Sequence, residues 1–301
     1  MKLVISSYNT NNNALSLIDI NMQKKEYKIL DNIELIEPSF VISVNNIIFT
    51  YTKRPLELLA FTINNNKFVL IDRISVPLET MTHLAFNEFN NTLYGASYKD
   101  GAIISVKFNN KFSNLKVIKE GGKCHEVLIS PNNLEIGIIN IEKDQINIYN
   151  LDLKLQRIIN LPLNSGPRHG LWCENEMFVC SEYSNELFRI KDDYVIDKIK
   201  TIKEDVKSNC ATLLLDNNYI YVSNRGEETI AKIDISNKLK YITSFSVYGK
   251  HSRHMIFSSD KKYIISLNKN SNNIAIINKD NFNLEMSIPY DNCSGVAIYE
   301  D

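Results

Sequence analysis

The stretch CHEVLISPNNLEIGIINIEKDQINIYNLD, from Cys124 to Asp152, decides the fold because its pattern returns along the chain. It holds three short apolar runs, rich in Ile, Val and Tyr, that are separated by brief polar turns. This is the pattern of antiparallel strands joined by hairpins. Similar segments begin at Thr82, Arg168, Ala211 and Arg253, and a weaker one begins near Ser39.

The corresponding positions of five copies lie 42, 44, 43 and 42 residues apart; they are His83, His125, His169, Thr212 and His254. A fourth apolar run, such as LQRIINLP or LKYITSFSV, completes each unit. Four antiparallel strands in this length form one blade of a β-propeller. The chain of 301 residues is therefore predicted to be all-β: one domain over residues 1–301, a seven-bladed β-propeller with four antiparallel strands per blade.

The two chain ends are predicted to share the last blade. SGVAIYED at the C-terminus has the pattern of an innermost strand, and KLVISSYN, LSLIDIN and EYKILDNI at the N-terminus supply the outer three. Such pairing would close the ring. Two stacked all-β domains are the alternative, and the unbroken periodicity from Ser39 onward speaks against them.

Composition excludes several classes of partner. The 34 basic and 35 acidic residues leave a net charge of −1, so no overall field attracts nucleic acid or an anionic membrane. No apolar window is long enough for a spanning helix. The five cysteines have no C-x-x-C spacing and the N-terminus does not resemble a signal peptide, which predicts a cytoplasmic protein.

Propeller geometry brings the unusual side chains together. An innermost strand leaves one mouth of the axial channel and the second strand returns to it, so the residues opening the first and closing the second become neighbours. All five histidines lie near the opening of an innermost strand: His83, His125, His169, His251 and His254. The returning strands end in Ser97 and Tyr98, Asn140, Glu182, Asn224 and Arg225, and Asn268.

These histidines and strand-end residues form a polar ring around the channel mouth, and the ring has two interpretations. Blades often use a polar residue at this turn to bond a neighbouring blade, and for His83 and His254 that structural role is at least as well supported as a functional one. Two arginines and a carboxylate are costly to desolvate and usually serve each other or a ligand, which favours function for Arg168, Glu182 and Arg225, together with His125.

The chemistry of this set suits a small anion. Guanidinium groups bind phosphate or carboxylate through forked hydrogen bonds, and Glu182 or His125 could accept a proton from water. Neighbouring arginines should lower the pKa of Glu182 and keep His125 neutral, which favours His125 as the base. Glu182 would then orient it or hold a substrate hydroxyl.

The segments CHEVLISP, GPRHGLW, SEYSNEL, YVSNRGEETIAKIDI and NKNSNNIAIIN resemble the lactonase family of seven-bladed propellers, which includes cytosolic 6-phosphogluconolactonases and fungal carboxymuconate lactonizing enzymes. The resemblance implies catalytic positions at His125, Arg168, Glu182 and Arg225. Asn224, His169 and Asn268 would lie beside them, and His83, Tyr98, Arg253 and His254 are further substrate-binding candidates. Cys124 stands where the family commonly has proline, and SRH at residues 252–254 stands where the family often has Pro-Arg-Asn. These departures indicate a divergent member.

Three functions follow as hypotheses. The first is a lactone hydrolase, most like a 6-phosphogluconolactonase, acting without a cofactor on a small anionic phosphorylated or carboxylated lactone. The second is a propeller without catalysis that binds a small ligand or a protein partner. The third is a divalent metal held by axial histidines, which is disfavoured because only Glu182 offers an obvious acidic partner; no metal is predicted.

Overall fold

The computed structural model describes residues 1–10, 13–203 and 206–300, and within them seven four-stranded antiparallel sheets form the predicted propeller. Blade 1 contains β4 Ile42–Val44, β5 Ile47–Thr52, β6 Glu57–Asn64 and β7 Lys67–Ser75. Blade 2 contains β8 His83–Asn87, β9 Thr92–Ser97, β10 Ala102–Phe108 and β11 Phe112–Lys119. Blade 3 contains β12 Cys124–Ile129, β13 Glu135–Asn140, β14 Gln145–Asn150 and β15 Leu155–Asn160.

Blade 4 contains β16 Pro167–Cys173, β17 Glu176–Ser181, β18 Glu186–Lys191 and β19 Tyr194–Lys200. Blade 5 contains β20 Asn209–Asp216, β21 Tyr219–Arg225, β22 Thr229–Asp234 and β23 Lys240–Ser246. Blade 6 contains β24 Ser252–Phe257, β25 Tyr263–Asn268, β26 Asn273–Asn278 and β27 Leu284–Pro289, with a 3-10 turn at Lys269–Ser271.

Blade 7 joins the two chain ends, as the sequence predicts. It contains β28 Cys293–Tyr299, β1 Lys2–Ser7, β2 Leu15–Asn21 and β3 Glu26–Ile33, in the order β28, β1, β2, β3. The first strand pairs with the last from Lys2 opposite Tyr299 to Ser6 opposite Gly295. This pairing joins both chain ends in one sheet and closes the ring.

The hydrophobic core lies between blades, because each strand face presents its alternating apolar side chains to the next sheet. Leu128 and Ile146 of blade 3, for example, pack against Val179 and Phe188 of blade 4. Similar buried clusters join the other neighbouring blades. Among the described residues, no helix has the length and apolar character needed to cross a membrane.

One irregularity recurs at the same end of the innermost strands. Pairing with the second strand skips His125 in blade 3, Arg168 in blade 4, Arg253 in blade 6 and Ser294 in blade 7. Each skip is a β-bulge, which places an extra residue in one strand and redirects its side chain. The bulges set the position of the residues at one mouth of the channel.

Candidate active site

A cavity of about 310 Å³ opens at the channel mouth where the innermost strands begin. Its lining comes from all seven blades and consists of Tyr8, Ser39, Lys53, Thr80, Met81, Thr82, Tyr98, Lys99, His125, Arg168, Glu182, Arg225 and Arg253. The structure thus brings together six of the sequence candidates: Tyr98, His125, Arg168, Glu182, Arg225 and Arg253. The other five, His83, His169, Asn224, His254 and Asn268, are not in this lining.

Two structural positions supply most of the functional groups. The bulge at the start of an innermost strand supplies His125, Arg168 and Arg253. The end of the second strand supplies Glu182 in blade 4 and Arg225 in blade 5. Because the second strand returns to the mouth from which the first departs, the two positions face the same cavity.

Glu182 lies between two arginines. Its Oε2 is 3.1 Å from Nε of Arg168 and 3.1 Å from Nη2 of Arg225. The peptide N–H of Glu182 donates to the carbonyl of Gly166 at 2.6 Å, which ties the carboxylate to the loop that enters the same blade. The backbone therefore fixes where this carboxylate meets the cavity.

Both guanidinium groups are anchored to the backbone of blade 5. Arg168, only 2% exposed, donates through Nη1 to the carbonyl of Ala211. Arg225 donates through Nη2 to the carbonyl of Cys210 at 3.1 Å. No hydrogen bond between described residues uses Nη2 of Arg168 or Nη1 of Arg225. Each arginine thus keeps a nitrogen for a ligand in the cavity it lines.

Glu182 and Arg168 are both ionised near neutral pH. Burial works to raise the pKa of the Glu182 carboxyl, but the charges of Arg168 and Arg225 outweigh it and the pKa is lowered. Burial, with repulsion from Arg225 and Arg253, lowers the pKa of Arg168 to about 9. Glu182 is accordingly a carboxylate and Arg168 a cation at pH 7. The side chain of Glu182 remains 22% exposed, so it can meet a ligand.

His125 is a neutral imidazole at the cavity wall. Burial, followed by the charges of Arg168 and Arg253, lowers its pKa well below the usual value. Its Nδ1 is buried and finds no hydrogen-bond partner among the described residues. A neutral imidazole carries one proton, on Nδ1 or on Nε2, so His125 offers the cavity either one hydrogen-bond donor or one acceptor.

A buried hydrogen-bonded network lies behind His125. Nδ1 of His169 is 2.7 Å from Oε1 of Glu126, and Nε2 of His83 is 3.5 Å from the same oxygen. The peptide N–H of Gly170 donates to the other oxygen of Glu126. The rings of His125 and His169 meet edge to face with centroids 4.9 Å apart. Burial raises the pKa of the Glu126 carboxyl well above its usual value.

This network supplies the acidic partner that the sequence did not reveal for axial histidines. The donor atoms of His83, Glu126 and His169 all lie within 4.8 Å of one another, a spacing that could hold a divalent metal. However, Nδ1 of His83 accepts the N–H of Val127 at 3.4 Å, so the neutral ring carries its proton on the nitrogen that faces Glu126. Hydrogen bonding alone accounts for this arrangement.

The two asparagine candidates bond to the connections that lead into their blades. The amide of Asn224 donates to the carbonyl of Thr201 at 2.9 Å, and its oxygen accepts from the Thr201 hydroxyl. Asn268 donates to the carbonyl of Val247 at 2.8 Å. Both are fully buried and hold the connection that enters the blade. His254 similarly accepts the N–H of Val296 at 3.3 Å, which links blades 6 and 7.

Tyr8, Lys53 and Glu126 were missed by the sequence analysis. Tyr8 follows the second strand of blade 7 and Lys53 that of blade 1, the position that Glu182 occupies in blade 4. The repeat therefore carried the signal for both. Glu126 stands next to His125 in an innermost strand, and nothing in its local sequence marks its burial or its bond to His169.

Comparison with known proteins agrees with the propeller fold. The family model described as "Lactonase, 7-bladed beta-propeller" matches residues 2–287. This chain belongs to that family. A 6-phosphogluconolactonase of Buchnera aphidicola subsp. Schizaphis graminum is 22% identical over 268 residues, covering 80% of each chain.

Two solved structures share the fold. A protein from Lactobacillus plantarum superposes with a TM-score of 0.90 at 18% identity, over 98% of this chain and 99% of its own. The periplasmic gluconolactonase PpgL of Pseudomonas aeruginosa gives a TM-score of 0.88 at 15% identity, over 98% of both chains. Identities this low establish the architecture and leave the substrate to be argued from the site.

Proposed function

We propose that this protein hydrolyses the lactone ring of an anionic sugar acid, with 6-phosphogluconolactone as the best candidate substrate. The observation that carries the proposal is the Glu182 carboxylate held between Arg168 and Arg225 at an open cavity. Membership of the lactonase family and the 6-phosphogluconolactonase named among its relatives support the same reaction.

Charge in the cavity favours an anionic substrate. Five cationic side chains line it, namely Lys53, Lys99, Arg168, Arg225 and Arg253, against the single carboxylate of Glu182. Since the whole chain has a net charge of −1, this excess is a local property of the mouth. Positive charge gathered in a cleft attracts and holds small anions.

In the proposed reaction a water molecule attacks the lactone carbonyl and gives its proton to Glu182. The negative charge that develops on the carbonyl oxygen is stabilised by the free guanidinium nitrogens of Arg168 and Arg225. The bond between the carbonyl carbon and the ring oxygen then breaks, and Glu182 returns the proton to that oxygen. The product is an open-chain hydroxy acid, which releases its carboxyl proton to solvent.

We assign the base to Glu182 rather than to His125. No described residue donates a hydrogen bond to Oε1 of Glu182, and the group is ionised at neutral pH. In this assignment the neutral ring of His125 carries its proton on Nε2 and acts as a hydrogen-bond donor to a substrate oxygen. The two arginines lower the basicity of Glu182, and they act on the same transition state by stabilising its oxyanion.

The proposal is tested by early-time hydrolysis of freshly generated 6-phosphogluconolactone, measured above its spontaneous rate. The wild type should accelerate hydrolysis, Arg168→Ala should lose the acceleration, and His125→Asn, which keeps an N–H donor, should retain part of it. If His125→Asn were as inactive as Arg168→Ala while folded, His125 would be the base. If the folded wild type gave no acceleration, binding of a small anion without turnover would replace hydrolysis.

A further inference from the structure

Three cations surround one tyrosine where blades 6, 7 and 1 meet the cavity. The guanidinium of Arg253 lies 5.1 Å from the ring centroid of Tyr8, Nζ of Lys269 lies 4.7 Å from it, and Nζ of Lys53 lies 5.6 Å from it. Tyr8, Lys53 and Arg253 line the cavity directly. We call Lys53, Arg253 and Lys269 the Tyr8 cation cluster.

The Tyr8 cation cluster has little counter-charge of its own. Within the described ranges, neither Arg253 nor Lys269 forms an ion pair or a side-chain hydrogen bond. Lys53 pairs with Glu37 at 3.1 Å, but the same carboxylate also pairs with Arg54. The rest of the cavity differs, because Arg168 and Arg225 share Glu182 and Lys99 pairs with Glu79. The unbalanced positive charge is thus concentrated beside Tyr8.

Partial burial makes this imbalance costly without a ligand. The side chain of Lys53 is only 14% exposed, and Tyr8, Arg253 and Lys269 are all partly buried. The pKa of the neighbouring His251 reflects this positive charge. Burial, followed by the charges of Arg225, Arg253 and Lys269, lowers it to about 4. Like charges held together and partly dehydrated are stabilised when an anion enters between them.

We propose that the Tyr8 cation cluster binds a phosphate monoester of the substrate, while Arg168, Glu182 and Arg225 act on the lactone. A phosphate monoester carries about −1.5 to −2 charge at pH 7 and three acceptor oxygens, which suits three cations better than a single carboxylate does. This inference rests on the proposed function, and it assigns the Tyr8 cation cluster as the subsite that distinguishes a phosphorylated lactone from an unphosphorylated one.

The test compares two product molecules that differ only in the phosphate group. Binding of 6-phosphogluconate and of gluconate is measured by titration calorimetry, so that no turnover is needed. The wild type should prefer 6-phosphogluconate, and Arg253→Gln should reduce that preference about tenfold or more, since a charge-assisted contact is lost. Lys269→Gln should reduce it in the same direction.

Lys123→Gln is the matched control. Lys123 also lies 5.6 Å from a tyrosine ring, that of Tyr98, but it has its own partner in Glu142 at 3.4 Å and is absent from the cavity lining. The control should keep the wild-type preference. Equal binding of both acids by the wild type, or an equal loss for both in Arg253→Gln, would overturn the inference.

Failure of the subsite and failure of the enzyme remain distinguishable. A preference for 6-phosphogluconate that depends on Arg253, in a protein that does not accelerate hydrolysis, would support the subsite and overturn the proposed function. Acceleration of lactone hydrolysis with equal affinity for both acids would support the proposed function and overturn the subsite.

Discussion

Acidification from pH 7 to pH 5 should strongly destabilise the folded protein, because buried imidazoles line the channel. Burial lowers the pKa of His83 to about 3 and that of His254 to about 4, and it lowers the pKa values of His125 and His169 well below the usual value. An unfolded histidine takes up a proton near pH 6.5. Below that pH the unfolded state binds more protons, so stability falls as pH falls.

The size of the effect follows from the number of groups. Each imidazole that stays neutral when folded contributes a loss of about 2 kcal/mol between pH 7 and pH 5, or about 8 kcal/mol for these four; the half-buried His251, whose pKa is lowered to about 4, adds a smaller loss of the same sign. Glu126 opposes this by at most about 3 kcal/mol, the limit for one proton over two pH units, because its raised pKa favours the protonated carboxyl in the folded state. If the proton between Glu126 and His169 resides on His169 instead, three imidazoles contribute. Either assignment leaves a loss of at least about 5 kcal/mol.

Urea unfolding at both pH values, followed by circular dichroism, measures this difference. The replacement His83→Gln should shrink it by about 2 kcal/mol, whatever the variant does to stability at pH 7. A difference below about 1 kcal/mol, or greater stability at pH 5, would refute the picture of neutral buried imidazoles.

Three further predictions concern the site. Glu126→Gln should not lower stability in urea unfolding at pH 7, because a neutral group still accepts the N–H of Gly170 and no buried carboxyl has to be protonated, whereas Glu126→Ala should be less stable than Glu126→Gln by about 1–3 kcal/mol. Gly166→Ala should lower both the melting temperature and the activity, since the φ of Gly166 is +64° and an added Cβ would lie 2.5 Å from the Tyr183 ring. Gly137→Ala is the control and should be tolerated, because the atoms nearest to its added Cβ are 3.5 Å away. The pH profile of kcat, measured with the bound complex, should lack an acid limb near pH 6.5, because the lowered pKa of Glu182 moves the loss of its active carboxylate below pH 4.5; a limb at 6.5 would indicate an ordinary imidazole base.

The repeat made the fold predictable. Spacing of about 43 residues identified the blades, and the complementary strands at the two chain ends identified the closure, which the pairing of Lys2 with Tyr299 confirms. Strand lengths were harder to predict: the first innermost strand spans only Ile42–Val44, because pairing depends on the neighbouring sheet as well as on local sequence.

The site was predictable in part for a physical reason. Arg168, Glu182 and Arg225 are polar at positions where strands meet the mouth, so topology alone brings them together. Distances and protonation states depend on bulges and on burial from several blades, which no single segment encodes. Asn268 shows the limit of a prediction from topology alone. It ends the second strand of blade 6 near the same mouth, yet its amide donates to the carbonyl of Val247.

The most direct test of the central claim is kcat/KM for 6-phosphogluconolactone in Glu182→Gln, with Glu186→Gln as the control. Glutamine keeps the size of Glu182 and removes its charge and its capacity to accept a proton. Glu186 lies in the same blade and pairs with Lys198 at 3.1 Å. We expect Glu182→Gln to lose about 100-fold or more and Glu186→Gln to stay within about twofold. A folded Glu182→Gln protein with wild-type activity would contradict the assignment of this carboxylate as the catalytic base.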